Sequence, residues 1–243
     1  LRLRVSRNDL YLFTQEIYIA FNQIAVKEHI RFNFESALSG IEAWFDRALL
    51  EKVVFNLLSN AFKHTSPGES VTVRLESFTQ AELNEYYPGR VEAGLSVSSR
   101  YACLSIEDTG KGISDIDKDH IFAPFYQSAD EQELNTTGTG IGLSLVLSVV
   151  KLHKGIVWVK DNTPKGAIFR VLLPIDKETY EEEQIAEEET ESLPEQEELP
   201  DISVSDLRKR YTVLLAEDND EVRRYIRERL ERHFDVLEAD NGE

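Results

Sequence analysis

The sequence contains no methionine and a single cysteine, Cys103. Its first residues, Leu1-Arg2-Leu3-Arg4-Val5, look like a strand beginning mid-protein and show no secretory leader pattern. A lone cysteine excludes an internal disulfide, and its place in a strand-like run predicts a buried, inert thiol in a reducing compartment. No apolar run approaches the roughly 20 residues that a membrane-spanning helix needs, so a soluble chain is expected. A basic stripe is missing too, which disfavours direct nucleic-acid binding because nothing would neutralise a phosphate backbone.

What is present is enough for one substantial core and something smaller: 243 residues, 41% of them hydrophobic. The net charge of −18 is concentrated, with twelve acidic residues and one lysine between Asp176 and Pro200. That stretch includes Glu181-Glu182-Glu183 and Glu187-Glu188-Glu189. Having few apolar residues, it cannot bury enough surface to offset the entropy of ordering. A solvated linker over 176–210 is therefore expected between a domain at 1–175 and a tail at 211–243.

Apolar residues Leu10, Phe13, Ile17, Phe21 and Ile24 recur at helical steps and predict an amphipathic helix from Asp9 to about Glu28. Short strands follow at Arg31–Glu35 and Ile41–Phe45. Asp46 is placed to cap a second helix running through Leu49, Val53, Leu57 and Ala61. Period-two alternation marks strands at Val71–Leu75 and Ala102–Ile106, separated by a polar excursion containing Tyr86-Tyr87-Pro88-Gly89. A long loop from Asp108 to Gly142 reads as a functional lid. A helix from about Leu143 to His153 and strands at Ile156–Lys160 and Ala167–Leu173 complete the domain, ended by Pro174. Helices alternating with an antiparallel-looking sheet predict a two-layer α/β sandwich.

Four segments carry candidate chemistry. In the second helix Asn56, Asn60 and Lys63 share one face. An amide oxygen can ligate a hard cation such as Mg²⁺ and a lysine can meet phosphate oxygens, although a polar face turned to water gives the same pattern. Asp108-Thr109-Gly110-Lys111-Gly112-Ile113 follows a strand; its carboxylate can accept from an amino group such as that of adenine, or the segment is no more than a turn. Phe122-Ala123-Pro124-Phe125-Tyr126 can anchor a loop, or pin a lid. Gly138-Thr139-Gly140-Ile141-Gly142 opens a helix, where exposed N–H groups and the macrodipole favour an anion. A dinucleotide fingerprint competes, but this loop follows a polar stretch and not a hydrophobic strand.

In this order and spacing the four segments resemble the boxes of the catalytic, ATP-binding domain of sensor histidine kinases. Gly166-Ala167-Ile168-Phe169-Arg170 through Leu173-Pro174 is similar to that family's closing strand. The resemblance, covering Leu1 to Pro174, implies the Bergerat-type ATP-binding fold shared with gyrase-type and chaperone-type ATPases, with ATP and Mg²⁺ as ligands. It implies Asn60 at Mg²⁺ with Asn56 nearby, Lys63 and His64 at phosphates, and Asp108 at the adenine amino group. Gly110 and Gly112 would shape the base pocket, and Gly138, Gly140 and Gly142 the phosphate side. Ile113, Phe122, Thr137, Thr139, Ile141 and Leu143 complete the residues expected at the nucleotide. Lys154 departs from the pattern, since the family often has a second glycine there. Related ATPases that hydrolyse ATP use a glutamate as base where this chain has Asn56, so transfer to a histidine is implied and no catalytic side chain is assigned. A hydrolytic ATPase of the same fold and a non-catalytic nucleotide-binding module remain as alternatives.

None of His29, His64, His120, His153 and His233 lies in a phosphoacceptor-like context. The dimerising helical domain with the acceptor is expected upstream of Leu1, so this chain is expected to bind nucleotide without phosphorylating itself. Near the other end, a strand at 211–216, Glu217-Asp218-Asn219-Asp220, a helix over 221–233 and a strand at 234–239 are similar to the opening of receiver domains. Glu217 and Asp218 stand where such domains hold Mg²⁺, or cap a helix. So short a tail is expected to pack loosely. Kinase and receiver together imply a hybrid kinase, homodimeric at full length and anchored in the inner membrane with this part cytoplasmic.

Overall fold

Asp9 starts the first long helix because its carboxylate accepts N–H bonds from Tyr11 at 2.8 Å and Leu12 at 3.1 Å. The helix, α1 (Leu10–Lys27), buries Leu10, Phe13, Ile17, Phe21 and Ala25. Ile24, expected on that face, is exposed: after Phe21 the buried stripe advances by four residues, to Ala25. In this computed structural model residues 2–89, 95–96, 98–127, 140–186, 212–216, 227 and 235–239 are described. They fall into two units, 1–188 and 189–243.

In the first unit β1 (Ser6–Asp9) pairs antiparallel with β3 (Glu42–Phe45). The main sheet has the order β2 (Arg31–Ser36), β4 (Ser70–Thr79), β5 (Arg100–Asp108), β7 (Ala167–Pro174), β6 (Ile156–Asp161). Its β2–β4 pair is parallel and the other pairs are antiparallel. The sheet is thus mixed and not the antiparallel one expected, because β2 reaches β4 through a crossover containing α2 (Arg47–Lys63).

Helices α1, α2 and α5 (Gly142–Leu152) form the second layer of the expected sandwich. Val53, Leu57, Val146 and Val149 pack in one cluster with Val73, Leu104, Ile106 and Val171 of the sheet. Each such side chain contributes about 1.5–3 kcal/mol when fully buried. The opposite face holds a smaller cluster of Phe78, Leu83, Tyr101, Cys103 and Leu172. Helix α3 (Gln80–Tyr86), started by a Thr79–Glu82 capping box, contributes Leu83 to it, and the short helix α4 (Asp115–Lys118) stands between α3 and α5 in the chain. Cys103 is fully buried, as its strand position implied, and burial pushes its thiol up to about 11.

Two helix ends meet at Asp46 and His153. Asp46 caps α2 by accepting from Leu49 N at 3.0 Å, and its other oxygen accepts from Arg4 N at 2.9 Å. Its own N–H donates to His153 Nε2 at 3.0 Å. That contact forces the proton onto Nδ1, which donates to the Val149 carbonyl at 2.9 Å. The next residue, Lys154, takes a left-handed φ of 58°, consistent with a glycine-preferring turn.

The segment from Asp176 to Ile185, expected to open a solvated linker, is packed on the first unit. Asp176 accepts from Ser98 Oγ, Ser99 N and Arg100 N at 2.8–2.9 Å, and its other oxygen accepts from Arg100 Nε at 2.9 Å. Tyr180 is buried, Lys154 Nζ donates to the Thr179 carbonyl at 2.7 Å, and Ile185 bridges to Val5. The apolar residues Ile175, Tyr180 and Ile185 anchor this acidic segment to the core. The rest of the expected linker lies outside the described residues.

In the second unit β8 (Thr212–Ala216) pairs in parallel with β9 (Asp235–Ala239), starting at Thr212 opposite Asp235. Glu217, Asp218 and most of the expected helix lie outside the described residues. Among the described residues no helix is long and apolar enough to cross a membrane.

Candidate functional site

A cleft of about 880 Å³ opens beside the exposed face of α2, the C-terminal end of β5, the start of α5 and the β6–β7 turn. Because α2 turns Leu57, Leu58 and Ala61 into the core, Asn56, Asn60 and Lys63 fall on its cleft side, with His64 at its C-cap. Asp108, Gly112, Ile113, Gly140, Gly142 and Leu143 line the same space. The amide stripe, the carboxylate and the glycines at 140 and 142 are therefore one site.

Asp108 ends β5 almost fully buried. Burial raises its carboxyl above the usual range, and N–H bonds from Gly110 at 3.0 Å and Ala167 at 3.2 Å act against that. Both donors meet Oδ1; no described residue hydrogen-bonds Oδ2, which is left to accept from a ligand in the cleft. Thr109 fixes the next residue, bonding the main chain of Ser70 through N–H and Oγ1 at 3.0 and 2.9 Å.

The glycines matter for space. A Cβ on Gly110 would lie 2.0 Å from the His64 carbonyl oxygen, and one on Gly142 would lie 2.5 Å from Asn56 Oδ1. Gly142 thus lets the start of α5 press against the amide stripe. Ile141 gives this helix no side-chain cap, so its first N–H groups lack that partner. At Gly140, φ is 65° and a Cβ would fall 2.6 Å from the Phe125 carbonyl carbon, while Phe125 N donates to Gly140 O at 2.8 Å.

Gly110, Phe122 and Ile141 do not line the cleft. Gly110 acts from behind through its bond to Asp108, Ile141 is exposed, and Phe122 packs edge-on against the cleft residue Phe169 with ring centroids 6.3 Å apart. Thr137, Gly138 and Thr139 lie outside the described residues. Tyr126, from the aromatic segment, lines it, as do Ser114, Asp117, Asn162 and Lys165, which were not singled out from the sequence. Asp117 accepts from Tyr126 Oη at 2.6 Å and Ser114 Oγ at 2.7 Å; the bonds from Ser114 and Tyr126 hold its carboxyl below the usual range. Lys165 pairs with Glu69 across the mouth of the sheet. Only the Ser114-x-x-Asp117 capping pattern could have signalled any of these.

Among the described residues no three His, Cys, Asp or Glu side chains cluster as a protein-only metal site. A hard cation here would need ligand oxygens beside an amide such as Asn60, a donor set that suits Mg²⁺ carried on phosphates.

The mixed sheet under a helical layer, with this cleft at one end, matches known proteins. The model for histidine kinase-, DNA gyrase B- and HSP90-like ATPases matches residues 45–177, and the chain belongs to that family. Histidine kinase P4 of Formosa agariphila is 30% identical over 99% of this chain, which covers 17% of that protein. Sensor histidine kinase TmoS of Ectopseudomonas mendocina is also 30% identical over 99% of this chain, here 24% of the relative. The chain thus spans roughly a fifth of the length of these curated relatives. The catalytic domain of histidine kinase ThkA shares the fold with a TM-score of 0.59 and 22% identity, over 73% of this chain and 100% of that one. Full-length ShkA in complex with AMPPNP superposes with a TM-score of 0.57 and 18% identity, over 100% of this chain and 42% of that one.

Proposed function

We propose that this chain is the ATP-binding catalytic part of a hybrid sensor histidine kinase. It transfers the γ-phosphate of ATP to a histidine on an upstream, dimerising helical domain, for relay to a receiver aspartate. The observation that carries this is the convergence of Asn56, Asn60 and Lys63 on the same cleft as Asp108 and Gly140. In this reading Asp108 Oδ2 accepts from the adenine amino group. Asn60 holds Mg²⁺, which neutralises phosphate charge when bound; Lys63 and His64 meet phosphate oxygens, and the start of α5 faces the same anion.

Asn56 decides between transfer and hydrolysis. Its Nδ2 donates to the Lys52 carbonyl at 2.7 Å and its amide cannot take a proton from water. A neutral imidazole needs no such base. Its nitrogen attacks phosphorus while the bond to the ADP oxygen breaks, and ADP leaves; positioning and charge neutralisation carry the rate. The names of the relatives support a sensor, which we read as a homodimer held at the inner membrane with this region cytoplasmic. The tail at 211–243 is read as the opening of the receiver.

Two measurements test this. Titration of Mg-ADP into the chain should give saturable binding that depends on Asp108. Mixing the chain with Mg-ATP and the helical domain of its own protein should give phosphohistidine. Steady phosphate release without phosphohistidine would instead make it a hydrolase, and nucleotide binding with neither outcome a sensing module.

A further inference from the structure

We propose that Asn162 is a positioning residue that sets the direction of the Asp108 carboxylate and so the preference of the cleft for adenine. Asn162 begins the turn between β6 and β7, 54 residues from Asp108, and lines the cleft with Asp108. Its Nδ2 donates to the main-chain oxygen of Asp108 at 2.7 Å. The amide orientation is fixed by its other end: Oδ1 accepts from Thr163 N at 2.8 Å, and an N–H can only donate. Asn162 N in turn donates to Gly166 O at 3.0 Å, closing the β6–β7 turn on itself.

The peptide after Asp108 is thereby held from two sides. Thr109 ties it to Ser70, and Asn162 ties it to the β6–β7 turn. The carboxylate hangs from that peptide, with Oδ1 taken up by Gly110 and Ala167. If the carbonyl swings, Oδ2 moves with it. A single hydrogen bond to a purine amino group tolerates little misdirection, so the penalty falls on adenine recognition and not on the phosphates. This role holds only where the cleft is the adenine-nucleotide site proposed above.

The test compares Mg-ADP with Mg-IDP, whose base has a carbonyl in place of the amino group, by calorimetric titration. Asn162→Ala should lose on the order of tenfold in Mg-ADP affinity, with Mg-IDP affinity unchanged. Asn162→Asp keeps an acceptor for Thr163 N and removes the donor to Asp108; the charge it adds is felt by both nucleotides, so the ADP-to-IDP ratio reports the lost donor if the alanine variant folds poorly. It should also narrow the ADP-to-IDP ratio. Unchanged ADP affinity in both variants, or an equal loss for both nucleotides, would overturn the inference while leaving the nucleotide site intact. A wild-type chain that binds neither nucleotide would overturn the site reading and the inference with it.

Discussion

A side chain on Gly166 would begin 2.0 Å from the main-chain oxygen of Asp108. The β6–β7 turn therefore rests directly on the peptide that carries the proposed adenine acceptor, and only hydrogen fits between them. With φ at 107°, Gly166 also occupies a backbone region that other residues rarely adopt. Gly166→Ala should cost about 1–3 kcal/mol of stability and displace Asp108. Urea denaturation and Mg-ADP titration should both register the change; a variant with wild-type values in both would show that the close packing is dispensable.

Asp108→Asn should separate stability from binding. The asparagine oxygen can keep the bonds from Gly110 and Ala167, while its amide cannot accept from an amino group. Burial raises the Asp108 carboxyl, so its charged form destabilises the empty domain at neutral pH. The sign follows from linkage: this group favours folding below its unfolded value of about 3.9, and that contribution is lost as pH rises through the higher folded value. The variant should melt at or above the wild-type temperature at pH 7, with the gap closing in acid. Its Mg-ADP affinity should fall by roughly tenfold to a hundredfold. Retained affinity would remove Asp108 from base recognition.

His153 should make the fold acid-sensitive. Burial lowers its imidazole below the usual value, and a proton on Nε2 would break the bond it accepts from Asp46 N. For a histidine depressed in this way, stability is complete above its unfolded value of about 6.5 and declines as pH falls below it. His153→Ala should lose about 2–4 kcal/mol, through a cavity and an unsatisfied Asp46 N–H. It should also flatten the dependence of stability on pH just below 6.5. Parallel wild-type and variant profiles in that range would remove His153 as the cause.

What the sequence made legible was local. Asn56, Asn60 and Lys63 share a face because helical spacing is built into the backbone, and Asp108 was recognisable as a polar end to a buried strand. The parallel β2–β4 pair was not, since alternation gives strand faces but no direction. Nor was Asn162, whose partner is a backbone carbonyl on another strand and leaves no mark on residue spacing. Phe122 was placed at the nucleotide by resemblance, yet its ring is taken up by Phe169. Counting charge misread Asp176–Ile185: net charge measures the cost of collecting carboxylates, not whether a few apolar side chains between them reach a core.

Asp176 provides the test of that misreading. Burial would raise its carboxyl, but bonds from Ser99, Ser98 and Arg100 prevail and hold it at about 2. A carboxylate lowered in this way adds stability above its unfolded value of about 3.9, and the contribution is lost as pH falls towards 2. Asp176→Ala strands the Ser99 and Arg100 N–H groups and the Arg100 guanidinium, which should cost about 2–3 kcal/mol. Were residue 176 simply the first of a solvated linker, the same change would stay within about 0.5 kcal/mol. Urea denaturation at pH 7 distinguishes the two. Hydrogen exchange adds location: faster exchange at Ser99 and Arg100 with unchanged protection in α2 would assign the loss to the Asp176 contacts, whereas uniform acceleration would mean that the whole domain had been weakened.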